Sequence, residues 1–126
     1  MKIAFDIHGT IDSDPKFFGK LFDFLKGCGV TVYITTGVPL WVAIDELSNM
    51  GLLTKCDKIF SITDYHISIG TDIRWDERDR PWIEDELWDR SKADFCKREN
   101  IDLHIDNSPI YGKYFETPYL QFKGME

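Results

Sequence analysis

An acid, an imidazole and a hydroxyl stand at alternate positions in Asp6-Ile7-His8-Gly9-Thr10, directly after the apolar run Ile3-Ala4-Phe5. A run of that kind reads as a strand buried in a parallel sheet. The sharp turn at Gly-Thr then presents Asp6 as a carboxylate available for chemistry. Two further apolar runs also end in polar turns, Thr35-Thr36-Gly37 and Asp106-Asn107, and Lys92 adds a cation near the start of an expected helix. Phosphoryl transfer asks for a nucleophile, cations on the nonbridging oxygens, donors that orient them and a proton source for the leaving oxygen. This set supplies each in kind. Asp6 is the candidate nucleophile, and an imidazole at His8, of pKa about 6.5, can give and take the proton. Asp6 and Asp106 suit Mg2+, which prefers oxygen ligands. Thr36 offers a hydroxyl and the glycine turns offer backbone N–H groups, so Thr10, Thr36 and Gly37 are the candidate phosphate contacts. Lys92 would stabilise transition-state charge.

The elements that must hold these residues follow from periodicity. Lys2 to Ile7 is the first strand. Asp14 caps a helix with Pro15 at its first position, along which Phe18, Leu21, Phe22 and Leu25 recur at helical spacing until Gly27 and Gly29. Val30 to Ile34 is a second strand, Pro39 to Met50 a second helix closed by Gly51, and Lys58 to Ile62 a weaker third strand. Thr63 to Arg90, dense in charge, reads as an insertion with a short helix near Trp82 to Trp88. Ser91-Lys92-Ala93-Asp94 fits a capping-box start for a helix to about Asn100. Leu103 to Ile105 is a fourth strand and Thr117 to Phe122 a fifth. This order predicts an α/β fold with a parallel sheet and right-handed crossovers. Ligands gather outside the carboxyl ends of such strands, where all four polar groups would converge.

The same residues, in the same order, resemble the four motifs of haloacid-dehalogenase-like (HAD) phosphohydrolases. Asp6-Ile7-His8-Gly9-Thr10 resembles the first motif, Asp-x-Asp-Gly-Thr, with His8 at the second acid. Tyr33-Ile34-Thr35-Thr36-Gly37 resembles the second, with Thr36 preferred and Thr35 the alternate. Lys92 resembles the third-motif lysine, with Lys97 the alternate. Ile105-Asp106-Asn107-Ser108-Pro109 resembles the fourth, with Asn107 at the second acid. The resemblance implies a Rossmannoid three-layer α/β/α sandwich with a mainly parallel five-stranded sheet. It also implies a Mg2+-dependent phosphomonoesterase working through an aspartyl-phosphate on Asp6, with catalytic Asp6, His8 and Lys92. His8 would contribute its backbone carbonyl to Mg2+ beside Asp6, Asp106 and Asn107. A substituted acid/base implies slow turnover, because imidazolium beside Mg2+ is disfavoured by like charge. The alternative is a weak or inactive phosphate- or metal-binding module on that fold.

Composition bounds these readings. The 126 residues suit a single domain spanning 1–126, with the insertion at about 63–90 too short for a full cap domain. A net charge of -7 argues against general nucleic-acid binding and leaves a small phosphorylated substrate as the expected partner. No apolar run approaches the about 18 residues of a membrane span, and no signal-peptide core follows Met1. Cys28, Cys56 and Cys96, odd in number and without Cys-x-x-Cys spacing, read as reduced packing thiols in a cytoplasmic protein. His66 and His104 read as structural or surface residues. In the insertion, Trp75, Trp82 and Trp88 read as packing on the sheet or on a partner in a homo-oligomer. Stacking on a base, with Arg74, Arg78, Arg80 and Arg90 gripping phosphate, is the other reading.

Overall fold

In the computed structural model, which describes residues 1–123, five parallel strands form one sheet in the order β3-β2-β1-β6-β7. The strands are β1 (Lys2–Asp6), β2 (Thr31–Thr36), β3 (Lys58–Ser61), β6 (Leu103–Asp106) and β7 (Tyr119–Gln121). A two-stranded ribbon, β4 (Arg74–Trp75) against β5 (Pro81–Trp82), stands apart from it. The helices are α1 (Pro15–Gly27), α2 (Leu40–Asn49), α3 (Ile62–Ser68) and α4 (Asp85–Arg98).

The pleat of the sheet sorts its residues into two layers of contact. Ile3, Phe5, Val32 and Ile34 pack with Phe18 and Phe22 of α1 and with Ala43 and Leu47 of α2. Ala4, Tyr33 and Phe60 face the other way and pack with Phe95 and Cys96 of α4 and with Ile62. The result is the expected three-layer, Rossmann-like α/β sandwich. Asp14 caps α1 as anticipated, its carboxylate accepting from the Phe17 N–H at 3.1 Å.

The segment after β3 departs from the sequence reading. Ile62–Ser68 is a helix, capped by Ser61, whose hydroxyl accepts from the Asp64 N–H at 3.1 Å. The short helix expected near Trp82 to Trp88 and the one expected from Ser91 are a single helix, α4, beginning at Asp85. Ser91 is therefore interior. Its hydroxyl donates to the Leu87 carbonyl one turn back, a bond that competes with capping as a use for serine.

Across the α4 face, Ala4 has only a methyl group with which to fill the space between β2 and β6. Thr35 and His104 meet there, Oγ1 and Nε2 2.8 Å apart, over the central strand. His104 stacks on Tyr119 and packs against Phe115, and its Nδ1 has no partner. Burial, helped by the nearby Lys92 charge, holds the His104 pKa well below its usual value. Burial also lowers that of His66, whose ring nitrogens meet Thr71 and Ser91. An unfolded chain takes up protons at these histidines below pH about 6.5 and the folded chain resists doing so, so stability is complete above that pH and falls as pH drops through it. Urea midpoints between pH 8 and 5 are expected to fall with acidification, with a shallower slope in His104→Phe.

Candidate functional site

Strand order reverses between β1 and β6, since the chain runs outward from β1 through β2 to β3 and returns to β6 on the other side. In open parallel sheets this crevice is where ligands sit. Phe5 pairs with Ile105, so the next residues, Asp6 and Asp106, end the two strands side by side. Lys92 reaches both from α4. Its Nζ donates to Asp6 Oδ1 at 2.8 Å and to Asp106 Oδ2 at 2.9 Å. Asp6, Lys92 and Asp106 are 5%, 3% and 1% exposed. Burial, the strongest influence, lifts the Asp6 pKa above the usual carboxylate value even though Lys92 opposes it. Burial alone would lower the Lys92 pKa, but Asp6 and Asp106 outweigh it and hold the ammonium charged.

The turns around this triad are tied down. Asp106 Oδ1 accepts from the Ser108 N–H at 3.0 Å, and the Ser108 hydroxyl accepts from Ile110 and Tyr111 N–H groups. The Tyr119 hydroxyl donates to the Ser108 carbonyl at 2.7 Å, joining this loop to β7. Asn107, with its NH2 turned inward, donates to the His8 carbonyl and Asp6 Oδ2, both at 3.0 Å, and to Asp106 Oδ1 at 3.3 Å. It lies against Gly9, where a side chain would collide with it at 2.1 Å and where φ is +82°. Gly37 is held bare by the Trp88 indole, which would stand 2.6 Å from a Cβ. The loop after β2 is fastened by α3: Ser61 and Thr63 hydroxyls donate to the Val38 and Gly37 carbonyls, and Asp64 accepts from the Leu40 N–H.

A cavity of about 760 Å³ opens above the triad. Asp6, His8, Gly37, Lys92, Asp106 and Asn107 line it, all anticipated from the sequence. The Thr10 and Thr36 side chains, expected on the phosphate, do not. Thr10 is fully buried and donates to Asp6 Oδ2 at 3.3 Å. Thr36 lies on the α1 and α2 side of the pleat, buried, with Oγ1 unpartnered. Thr35, its alternate, is taken by His104. Lys97, the alternate to Lys92, is exposed and paired with Glu116 at 2.6 Å. The His8 imidazole turns to Glu46 on α2, Nε2 to Oε2 2.6 Å, rather than to Asp6. The Gly9 N–H is spent on Asp12. Among the described residues no three His, Cys, Asp or Glu side chains gather as a metal cluster.

Sequence reasoning missed Trp41, Pro81 and Tyr111 in the cavity's upper wall and offered Trp82, Arg78 and Arg80 there only as its second reading. All six line the cavity, the two arginines from the ribbon. Asp76 organises that ribbon, accepting from the Arg78 and Arg80 N–H groups at 2.9 Å, Arg80 Nε at 2.8 Å and Trp82 Nε1 at 3.1 Å. These bonds hold its carboxyl well below the usual range. The tryptophans do not act alike: Trp88 packs on Gly37 and donates to the Tyr111 hydroxyl, whereas Trp75 and Trp82 are exposed. Ser61-Ile62-Thr63-Asp64 carried a legible helix-start signal that would have located the residues fastening the 37–40 loop.

These features define a parallel α/β protein with an open crevice at its switch point. The fold is shared with a universal stress protein whose crystal structure is in complex with cAMP: TM-score 0.52, 11% identity, over 96% of this chain and 94% of that one. No family model matches the chain, and no curated protein matches it. The HAD reading, and with it the Mg2+-dependent phosphatase acting through an aspartyl-phosphate and the hydrolase assignment, is overturned by the match to a universal stress protein. The physical reason is that polar strand ends are common to parallel sheets of this type, and His8 faces Glu46 instead of serving Asp6.

Removing the cation from a buried ion group leaves uncompensated charge, at a cost of about 3–5 kcal/mol. Lys92→Met is expected to lose stability on that scale near neutral pH. Without Lys92, which opposes the rise, the Asp6 pKa goes up further, so its protonation relieves the repulsion and the gap from wild type narrows as pH falls toward about 4. Paired urea titrations across that range read the gap directly.

Proposed function

We propose that this chain binds a small nucleotide in the switch-point cavity, acting as a binding module rather than as a phosphohydrolase. The observation that carries this reading is a single cavity with a buried lysine and two carboxylates at its floor and aromatic walls above. Its volume is in the range typical of small-molecule and cofactor sites. The shared fold of a universal stress protein in complex with cAMP supports a nucleotide as the kind of ligand.

The floor carries two acids against one lysine, so a phosphate approaching unaccompanied meets net negative charge. A divalent cation resolves this. Asp6 Oδ2, Asp106 Oδ1 and the His8 carbonyl already converge on the Asn107 amide, and rotating that amide would add a fourth oxygen. That all-oxygen donor set fits Mg2+, which retains waters for its remaining positions. When bound, Mg2+ supplies positive charge to the phosphate. The chain's own part is to position the oxygens through β1, β6 and the Asp106 turn, and to hold Lys92 charged beside them.

Thermal unfolding with AMP or cAMP, each with and without Mg2+, tests the reading. A nucleotide at about 100 times its Kd should add about 2.7 kcal/mol of stability, with the larger shift in Mg2+, and Asp106→Asn should remove the Mg2+ dependence. No shift with any nucleotide would overturn it.

A further inference from the structure

We infer that Trp41 and Trp82 form a clamp for the planar base of the ligand, and that Asp76 is a positioning residue that sets the Trp82 half of it. This deepens the nucleotide-binding reading above and rests on it. Trp41, in the first turn of α2, is 74% exposed, and Trp82, at the end of the ribbon, is 58% exposed. Both line the cavity, from elements that approach it separately. An indole contributes most when its faces are covered, and neither of these is committed to the core. The other two tryptophans provide the contrast. Trp88 is used structurally against Gly37 and Tyr111, and Trp75 is exposed but does not line the cavity.

The polar edge of Trp82 is fixed while its face is left open. Its Nε1–H donates to Asp76, whose two carboxylate oxygens also gather two ribbon N–H groups and Arg80 Nε. The tight turn, with Asp79 at φ 56°, thereby holds the indole at the cavity rim. A rigid aromatic face over a phosphate floor selects a ligand that carries a base at one end and a phosphate at the other. Stacking of that kind tolerates different bases, because each offers a π face.

Calorimetry of AMP, ribose 5-phosphate and adenosine in Mg2+, against wild type and Trp41→Ala, Trp82→Ala and Asp76→Ala, tests the clamp. AMP is expected to bind wild type about tenfold to a hundredfold tighter than ribose 5-phosphate. Each variant should shrink that ratio while leaving ribose 5-phosphate unchanged, and Trp41→Phe should recover much of it. Equal affinity of the two phosphates for wild type, or variants that weaken both alike, would overturn the clamp and leave phosphate binding standing. Adenosine binding as tightly as AMP would keep the clamp and overturn the phosphate role. Binding of none of the three would overturn both.

Discussion

Lys92 between Asp6 and Asp106 is the constraint around which the rest is arranged. Three charged groups are almost wholly removed from water, and burial of that kind is tolerated only where geometry repays it. Here β1 and β6 must pair in the register that brings their final residues together, and α4 must lie at one height and one rotation above them. A helix turned by a single residue swings its side chains by about 100°, which would aim the lysine elsewhere. That same placement puts Trp88, one turn earlier, on Gly37. The rotation of α4 thus fixes the floor of the cavity and one of its walls together.

The sheet was legible because its strands are short, apolar and β-branched, and because Asp14-Pro15, Gly29 and Gly51 punctuate the helices between them. Gly29 and Gly51 indeed adopt positive φ. In the segment from Ile62 to Trp88 the start of α3 was signalled at Ser61-Ile62-Thr63-Asp64 and overlooked, whereas the early start of α4 was hidden for a different reason. Both halves of the 85–98 helix were legible, but their continuity through Ser91 draws on Phe95, Cys96 and Lys92 meeting the sheet, which is tertiary contact with no signature in local propensity. Ser91 looked like a cap because serine favours caps, and in the folded chain its hydroxyl found a carbonyl one turn back instead.

The site was legible in its floor and only in part in its walls. Asp6, Lys92 and Asp106 stand where strand ends and a crossover helix must bring them, so position in the topology was enough. Thr36 shows the limit of that reasoning: one step along a strand exchanges the faces of a sheet, and its hydroxyl went to the α1 and α2 side. The motif order that suggested a phosphohydrolase reflects the same topology. Polar residues at successive strand ends serve many ligands in parallel α/β proteins, and the side-chain directions of His8 and Thr36 carry the discriminating information.

The tie from the Tyr119 hydroxyl to the Ser108 carbonyl gives the short outer strand a role beyond finishing the sheet. Asn107 and Ser108 belong to the loop that borders the floor, and that loop is anchored at its far side by a residue near the end of the described chain. Tyr119 also stacks on His104, beneath the same floor. The outermost strand therefore works as a brace: a residue at the margin of the sheet is tied both to the loop that borders the floor and to the buried ring beneath it.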